Sequence, residues 1–387
     1  MSATTVQTGQ SLLSGASSLA EHRARFGPMP ATDPAGLLAA VAAAGLTGRG
    51  GAAFPTHRKL ATVAAGRGRR VVVGNGAEGE PASAKDRTLL TNNPHLVLDG
   101  LALAARVTGA ATAYLYVQAA AHGPVARAIA ERGDAVRLVI APDRFLAGEE
   151  SAVAARLSGG AGLPTYTPPR VFERGVHGRP TLVQNVETLA QLALIARHGP
   201  GWFRSVGTPA EPGSMLVTVT PVVGPPRVAE VPIGSRLGDL VGPDAAAALI
   251  GGYHGAWLQG PLAAELPLSN EALRPYGASL GAGVVVALGP RQCGIAETAR
   301  IVDYLAAESA RHCGPCLSGL PLIAAGLKVL AGPRPHPEVR ARLERWAGLV
   351  EGRGACHHPD GTVRLVRSAL RVFAAEIAAH ENGRCIR

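Results

Sequence analysis

The sequence predicts an α/β protein in three parts: an α/β sandwich, a smaller β-grasp-like domain and a C-terminal helical bundle. Three observations carry this. A short apolar run, Val71-Val72-Val73, has the signature of a strand buried on both faces, and helical and strand patterns alternate around it as far as about residue 205. Beyond about residue 211, β-branched runs broken by Pro and Gly take over. From about residue 296, apolar positions such as Ile301, Tyr304 and Leu305 recur at helical spacing.

The elements follow in order. Residues 1–34 are polar and end in Pro28, Pro30 and Pro34, which predicts a loosely attached arm. A helix is expected over 35–44, stopped by Gly45, with a Gly-rich loop over 48–56. The valine strand leads into a loop over 74–86 and a helix over 95–107. Strands are expected over 114–117 and 137–140, with a helix over 124–131 between them. The first domain therefore covers 35–210. Strands over 215–220, 228–231 and 284–288, with short helical pieces between, define a second domain over 211–290. Helices starting near 296 and over 320–330, 339–349 and 363–379 make a four-helix bundle over 291–387, built around cysteines.

Composition narrows the function. A chain of 387 residues suits two or three domains and buries a core without disulfide support. Charged residues are only 17%, against about 25% usually, which fits either a buried partner face or a plain bias to Ala and Gly. The balance is 38 basic to 28 acidic, a net +10. Aromatics are 4% and the densest basic cluster is Arg67, Arg69 and Arg70, which argues against nucleic acid. An acidic protein partner drawn in by the field is one reading, and a basic surface with no particular partner is the other. Residues 1–20 lack the basic start and apolar stretch of a secretory signal. The long run without Asp, Glu, Lys or Arg over 245–264 holds Gly251, Gly252, His254, Gly255 and Pro261 and makes a poor membrane span. The expectation is a soluble, cytoplasmic chain whose membrane contact, if any, runs through a partner. Five cysteines, an odd number that includes the close pair Cys313 and Cys316, point to metal or redox chemistry rather than a disulfide framework.

Four segments carry the candidate site. G-R-G-G-A-A-F-P-T begins at Gly48, with Lys59 three residues after its end. Its glycines let backbone N–H groups converge on an anion, with Arg49 and Lys59 adding charge. Alone it reads better as a structural turn than as a phosphate cradle, since it is neither G-x-G-x-x-G nor a P-loop. G-N-G-A-E-G-E-P begins at Gly74, A-G-E-E-S-A at Ala147 and Q-N-V-E-T-L at Gln184. Each sets Asn, Glu or Gly at a strand-to-helix junction, where open α/β sheets bind ligands. No Ser–His–Asp or Cys–His nucleophile arrangement is apparent.

Together, the four segments and the cysteine-bearing C-terminus resemble the flavin-binding, NADH-oxidising subunit of respiratory complex I and related hydrogenases and formate dehydrogenases. The similarity covers residues 35–380. It implies an FMN-binding α/β sandwich, a soluble-ligand-binding (SLBB-like) β-grasp domain and a helical iron–sulfur bundle. It assigns Gly48, Arg49, Gly50, Gly51 and Lys59 to the FMN phosphate and ribityl chain. Asn75 and Glu78 would meet the isoalloxazine edge, although the Asp that the family has between them is Ala77 here. Gly148 and Glu149 match the third segment, and Asn185 and Thr188 the fourth, where the family usually has a second Asn at Gln184. Glu80 and Glu150 would position the nicotinamide. Phe54 matches one adenine-stacking ring. Thr62 replaces another, and Thr167 and Arg170 stand where the family has Lys and Phe, so NADH, NADPH or neither remains open.

For the [4Fe–4S] cluster, Cys313, Cys316 and Cys356 match three ligands, and Ala310 stands in place of the first. A cubane wants four ligands. His312, His357 and His358 are candidates to complete the set. A [3Fe–4S] cluster, an exogenous ligand and a lost cluster are the alternatives. Cys293 reads as a core residue and Cys385 as part of a frayed tail. The implied activity is electron transfer from NAD(P)H through FMN to the cluster and on to an acidic ferredoxin-like or thioredoxin-like iron–sulfur partner, within a membrane-associated redox complex. The alternative is an FMN adaptor that exchanges electrons with such a partner and has lost the pyridine nucleotide.

Overall fold

The computed structural model describes residues 12–385. It divides into two compact units. The first runs to Thr218 and takes back Val228–Ser235; the second is Val219–Arg227 with everything from Arg236 onward. The β-rich stretch after Ser235 and the C-terminal helices thus share one unit.

The first unit contains α1 (Leu19–Phe26), α2 (Pro34–Ala44), α3 (Thr56–Ala64), β1 (Arg70–Gly76), α4 (Lys85–Asn92) and α5 (Pro94–Thr108). It continues with β2 (Ala110–Val117), α6 (Ala119–Arg132), β3 (Val136–Ile140), α7 (Glu150–Leu157), α8 (Val171–Arg174), β4 (Thr181–Asn185) and α9 (Val186–Phe203). The four strands are all parallel in the order β3-β2-β1-β4. Both faces are covered, so the valine run divides its side chains between them. Val72 joins Leu115, Leu182, Leu101 and Leu189 on the α5/α9 side. Val71 and Val73 join Tyr116, Val153 and Val171 on the α7/α8 side. A parallel strand buried twice over has no polar alternate position, which is why β1 reads as unbroken valine.

Gly100 lets α5 and α9 touch. A Cβ there would lie 1.9 Å from the Leu189 carbonyl oxygen, so the backbones approach at a spacing only glycine permits.

The expected loose arm is corrected over the described residues. Leu12 and Ala16 are buried. Asn93 binds both ends of this attachment: Ala16 N–H donates to its Oδ1 at 2.9 Å and its Nδ2 donates to the Leu12 carbonyl at 2.5 Å. Helix α1 is closed by a Ser18/Glu21 capping box, a feature the polar composition concealed. Residues 1–11 of the expected arm lie outside the described residues.

Strand β5 (Ser214–Thr220) and strand β6 (Arg227–Pro232) follow α9. In the second unit come α10 (Gly238–Val241), β7 (Ala247–Ile250), β8 (Ala256–Gln259), α11 (Gly260–Glu265), α12 (Asn270–Leu273) and β9 (Val284–Leu288). β7 pairs antiparallel with β8 and with β9, so the apolar, glycine-interrupted stretch expected as helical pieces is a hairpin. Its turn uses Gly251 and Gly252, both at positive φ.

Among the described residues the bundle has five helices rather than four: α13 (Gly294–Ala307), α14 (Leu320–Ala331), α15 (Glu338–Val350), α16 (His358–Val372) and α17 (Ala374–Glu381). The expected last helix breaks at Phe373. That ring is buried edge-on to Trp257, with centroids 5.2 Å apart, and fills the space a Cβ on Gly294 would need. Among the described residues, no helix is long and apolar enough to cross a membrane.

Candidate functional site

The strand order reverses between β1 and β4. Successive strands step one way from β1, through β2 to β3, while β4 pairs on the other side of β1. Crevices at the carboxyl ends of strands on either side of such a reversal are where open α/β sheets take ligands. Asn75 and Asn185 lie at the ends of these two strands and are register partners.

The four turns meet there. Gly48 N–H bonds the Phe54 carbonyl at 2.9 Å, and Thr56 N–H the Leu46 carbonyl at 2.9 Å, so the Gly-rich loop is pinched at its base. Gly51 sits at φ 110° and Ala53 at φ 49°. Among the described residues, the N–H groups of Gly50, Gly51, Ala52 and Ala53 meet no well-aligned acceptor, as an anion cradle requires. A Cβ on Gly50 would lie 3.3 Å from Asn185 Cβ, which packs the first turn on the fourth. Arg49 N–H donates to Thr188 Oγ1 at 2.8 Å and fixes the same junction. Asn75 Nδ2 donates to the Gly148 carbonyl at 2.9 Å and ties the second turn to the third. Lys59, on α3, donates to the Val183 carbonyl at 2.7 Å and ion-pairs with Glu150.

The carboxylates have unlike roles. Glu149 caps α7, accepting from Ser151 N–H at 2.9 Å and Ala152 N–H at 3.0 Å. Glu78 accepts from Ser83 Oγ and from the Asp86 and Arg87 amides at the start of α4. Burial, and next the Asp86 charge, raise the Glu78 pKa. Glu80 accepts from Ala82 N–H at 3.3 Å within its own turn. Asn185 caps α9 through Glu187 N–H at 3.0 Å and donates to Asp86 at 2.7 Å. Gln184 Oε1, in β4, is buried without a hydrogen-bond partner.

Beneath these turns lies a charge network that sequence reasoning missed. Lys85 Nζ is 2.7 Å from Asp86 and 2.9 Å from Glu187, and the Lys85 and Glu187 side chains are sealed from solvent. Burial alone would lower Lys85, but the two carboxylates hold its ammonium above the ordinary lysine range. Glu187 also accepts Leu216 N–H at 2.8 Å. The Arg49 guanidinium points into the same interior, donating to Thr47 Oγ1 and the Ser214 carbonyl. Lys85 and Glu187 are 102 residues apart, so no local pattern announces the pair.

Phe54, in the Gly-rich loop, is 51% exposed, and Tyr166, in the segment before α8, is 65% exposed. Thr62 Oγ1 bonds the Arg58 carbonyl within its own helix, and exposed Arg170 precedes α8, with its N–H on Glu173.

The cysteine region sits at a π-turn, Pro315–Gly319, that runs straight into α14. Cys316 N–H and Leu317 N–H both bond the Cys313 carbonyl. Such one-turn π segments gather at functional sites. Burial pushes the Cys316 thiol up to about 12, with Cys313 and Cys356 adding to it, so the three sulfurs share one electrostatic neighbourhood. His312 is exposed beside Cys313. His357 is fully exposed, 3.6 Å from Asp360. His358 is corrected as a candidate ligand: its Nδ1 is 3.0 Å from His254 and its Nε2 is 2.8 Å from the Leu305 carbonyl, so both ring nitrogens are occupied.

A parallel sheet with a glycine cradle at its switch point, joined in one chain to a cysteine-bearing helical bundle, defines a protein suited to a phosphate-bearing ligand and to thiol-based metal or redox chemistry. Comparison with known proteins agrees. Residues 41–194 match the Nuo51 FMN-binding domain, and 296–380 match the NADH-ubiquinone oxidoreductase-F iron-sulfur binding region. The chain is 31% identical over 368 residues to the second F-type subunit of NADH-quinone oxidoreductase from Rhizobium meliloti (strain 1021), covering 88% of this chain and 87% of that one. It is 28% identical to the F-type NADH-quinone oxidoreductase subunit of Streptomyces coelicolor, covering 91% and 84%. A crystal structure of NAD+-reducing [NiFe]-hydrogenase in the air-oxidized state superposes with TM-score 0.82 at 30% identity; the match covers 91% of this chain and 63% of that longer one. The chain belongs to the family of F-type subunits of NADH-quinone oxidoreductase.

Proposed function

We propose that this chain is a flavoprotein subunit that takes electrons from a reduced nicotinamide dinucleotide, through FMN, toward an iron–sulfur cluster within a larger redox assembly. One observation supports it above the others: the four glycine- and carboxylate-bearing turns converge at the strand reversal of a parallel sheet, where, among the described residues, the loop amides meet no protein acceptor. The residues present fit FMN. The amides from Gly50 to Ala53 and the nearby Lys59 would hold the phosphate. Asn75, Asn185 and the unpartnered Gln184 Oε1 would meet the ring edge. Bound there, FMN would supply the exchange between a two-electron donor and one-electron acceptors.

The rest is the chain's own work. Glu149 and Asn185, tied up as helix caps, fix the turns rather than move protons. Lys59 holds Glu150 at the rim, where that carboxylate can orient an amide. Glu80 lies on a turn of its own making and takes the same role. Phe54 and Tyr166 offer exposed ring faces for a base, each stacking contact contributing about 1 kcal/mol. Arg170, in place of an aromatic, can stack on a base or bind a phosphate, which suits NADPH as well as NADH. Cys313, Cys316 and Cys356 would give the cluster three thiolates, with His312, His357 or an exogenous group as the fourth ligand. The net charge of +10 suits an acidic ferredoxin-like or thioredoxin-like iron–sulfur partner.

The altered positions Thr62, Thr167 and Arg170 favour a second reading, an FMN adaptor that has lost the pyridine nucleotide. Anaerobic reconstitution with FMN, followed by NADH or NADPH, separates the two. Bleaching of the flavin band by either nucleotide supports the dehydrogenase. Bleaching only by a reduced ferredoxin supports the adaptor. A chain that takes up no flavin overturns both.

A further inference from the structure

Two cysteines have no place in the cluster motif, and the fold brings both to one histidine. Cys293 Sγ, a ring nitrogen of His380 and Cys385 Sγ supply ligand atoms that lie within 4.8 Å of one another. Cys293 precedes α13, His380 is on α17 and Cys385 lies just beyond α17, so the site joins the two ends of the bundle. Cys293 is thus more than the packing residue the sequence suggested, and Cys385 more than a frayed end.

The geometry is that of donors around one ion. Cys293 Sγ is 3.7 Å from His380 Nε2. With Zn–S near 2.3 Å and Zn–N near 2.0–2.1 Å, the S···N edge of a tetrahedral zinc site is about 3.6 Å. His380 is 4% exposed, and its Nδ1 lies 3.1 Å from the Leu330 carbonyl. A carbonyl only accepts, so Nδ1 carries the proton and Nε2 presents its lone pair to the sulfurs. Orienting a ligand histidine through a carbonyl on its far nitrogen is a recurrent device of metal sites. Buried Glu376 accepts Gly294 N–H at 2.8 Å, and its charge acts on both Cys293 and His380, favouring a cation between them.

We propose that Cys293, His380 and Cys385 form a mononuclear zinc site, with water in the fourth position. Two thiolates and an imidazole suit zinc among divalent ions. Binding transfers the two thiol protons to solvent and leaves the metal divalent, so no electron donor or acceptor is needed. The ion would clasp the C-terminal segment to the start of α13. This site is independent of the flavin turns and of Cys313, Cys316 and Cys356.

The test uses the full chain, purified under reducing conditions, reconstituted with FMN, iron and sulfide, equilibrated with Zn²⁺ and desalted. Elemental analysis should give one more zinc per chain in the wild type than in Cys385→Ser, with flavin and iron equal in both. His380→Gln should lose the same equivalent. Co²⁺ in place of Zn²⁺ should give tetrahedral thiolate–cobalt absorption in the wild type that Cys385→Ser lacks. Equal zinc in wild type and Cys385→Ser overturns the proposal, as does a Cys293–Cys385 disulfide found by peptide mass mapping of the reduced preparation. Because flavin is quantified in the same samples, failure of this site is read separately from failure of the flavin assignment.

Discussion

Neighbouring residues of the same type do different work here, and burial with partners decides which. Lys59 carries the first motif's positive charge to the rim, because Arg49 is turned inward onto Thr47 and Ser214. Lys59→Ala should therefore lower flavin occupancy at limiting FMN, by about tenfold in affinity, or roughly 1.4 kcal/mol; the flavin-to-protein ratio after desalting checks this. Asp99 is a second case. Burial would raise its pKa, but the His22 hydrogen bond and the Arg197 and Arg132 guanidinium groups outweigh it and bring it to about 2. Its ordinary value is 3.8, so the stability it contributes is present above about pH 4 and is lost as pH falls through 2. The amount is about 2 kcal/mol. In acid titrations of unfolding, Asp99→Asn should flatten the limb between pH 4 and 2. The sequence shows which residues stand at strand ends. It does not show Lys85 with Glu187, or Cys293 with Cys385, because pairs distant along the chain leave no local periodicity.

At the scale of elements, legibility follows burial pattern. The valine strand β1 and the long helices α5 and α13 are readable from apolar runs and spacing. The end of β4 is readable as the junction at Gln184, but its start is not, because T-L-V-Q-N offers no alternation to set its bounds. The β7–β8 hairpin is hidden by its glycines, and the split between α16 and α17 by a helical spacing that continues across Phe373. Gly100→Ala should force α5 off α9 and destabilise the first unit by about 3 kcal/mol, seen as a lower urea midpoint. Lys85→Met, leaving Glu187 buried without its cation, should cost about 3–5 kcal/mol in the same assay. Lys85→Met with Glu187→Leu should recover part of that loss.

For the whole molecule, flavin and cluster motifs fall in different compact units. Cys356→Ser should therefore reduce iron and acid-labile sulfide per chain while leaving the flavin ratio unchanged, as measured by metal analysis beside the visible spectrum. The family and the order of its parts can be recognised in the sequence because glycine, asparagine and glutamate at strand ends are constrained by backbone geometry. The tie at residues 12–16 cannot, because Asn93 supplies it from a helix boundary whose own sequence looks ordinary.

The run from Ala147 to Ala152 is read by the frame in which a helix starts. Glu149 falls just outside α7 and Glu150 just inside, so one is locked to amides and its neighbour reaches a lysine. Deleting a single residue upstream would hand Glu150 the locking position and strip Lys59 of its counter-ion, although the motif would still spell two acids before a serine.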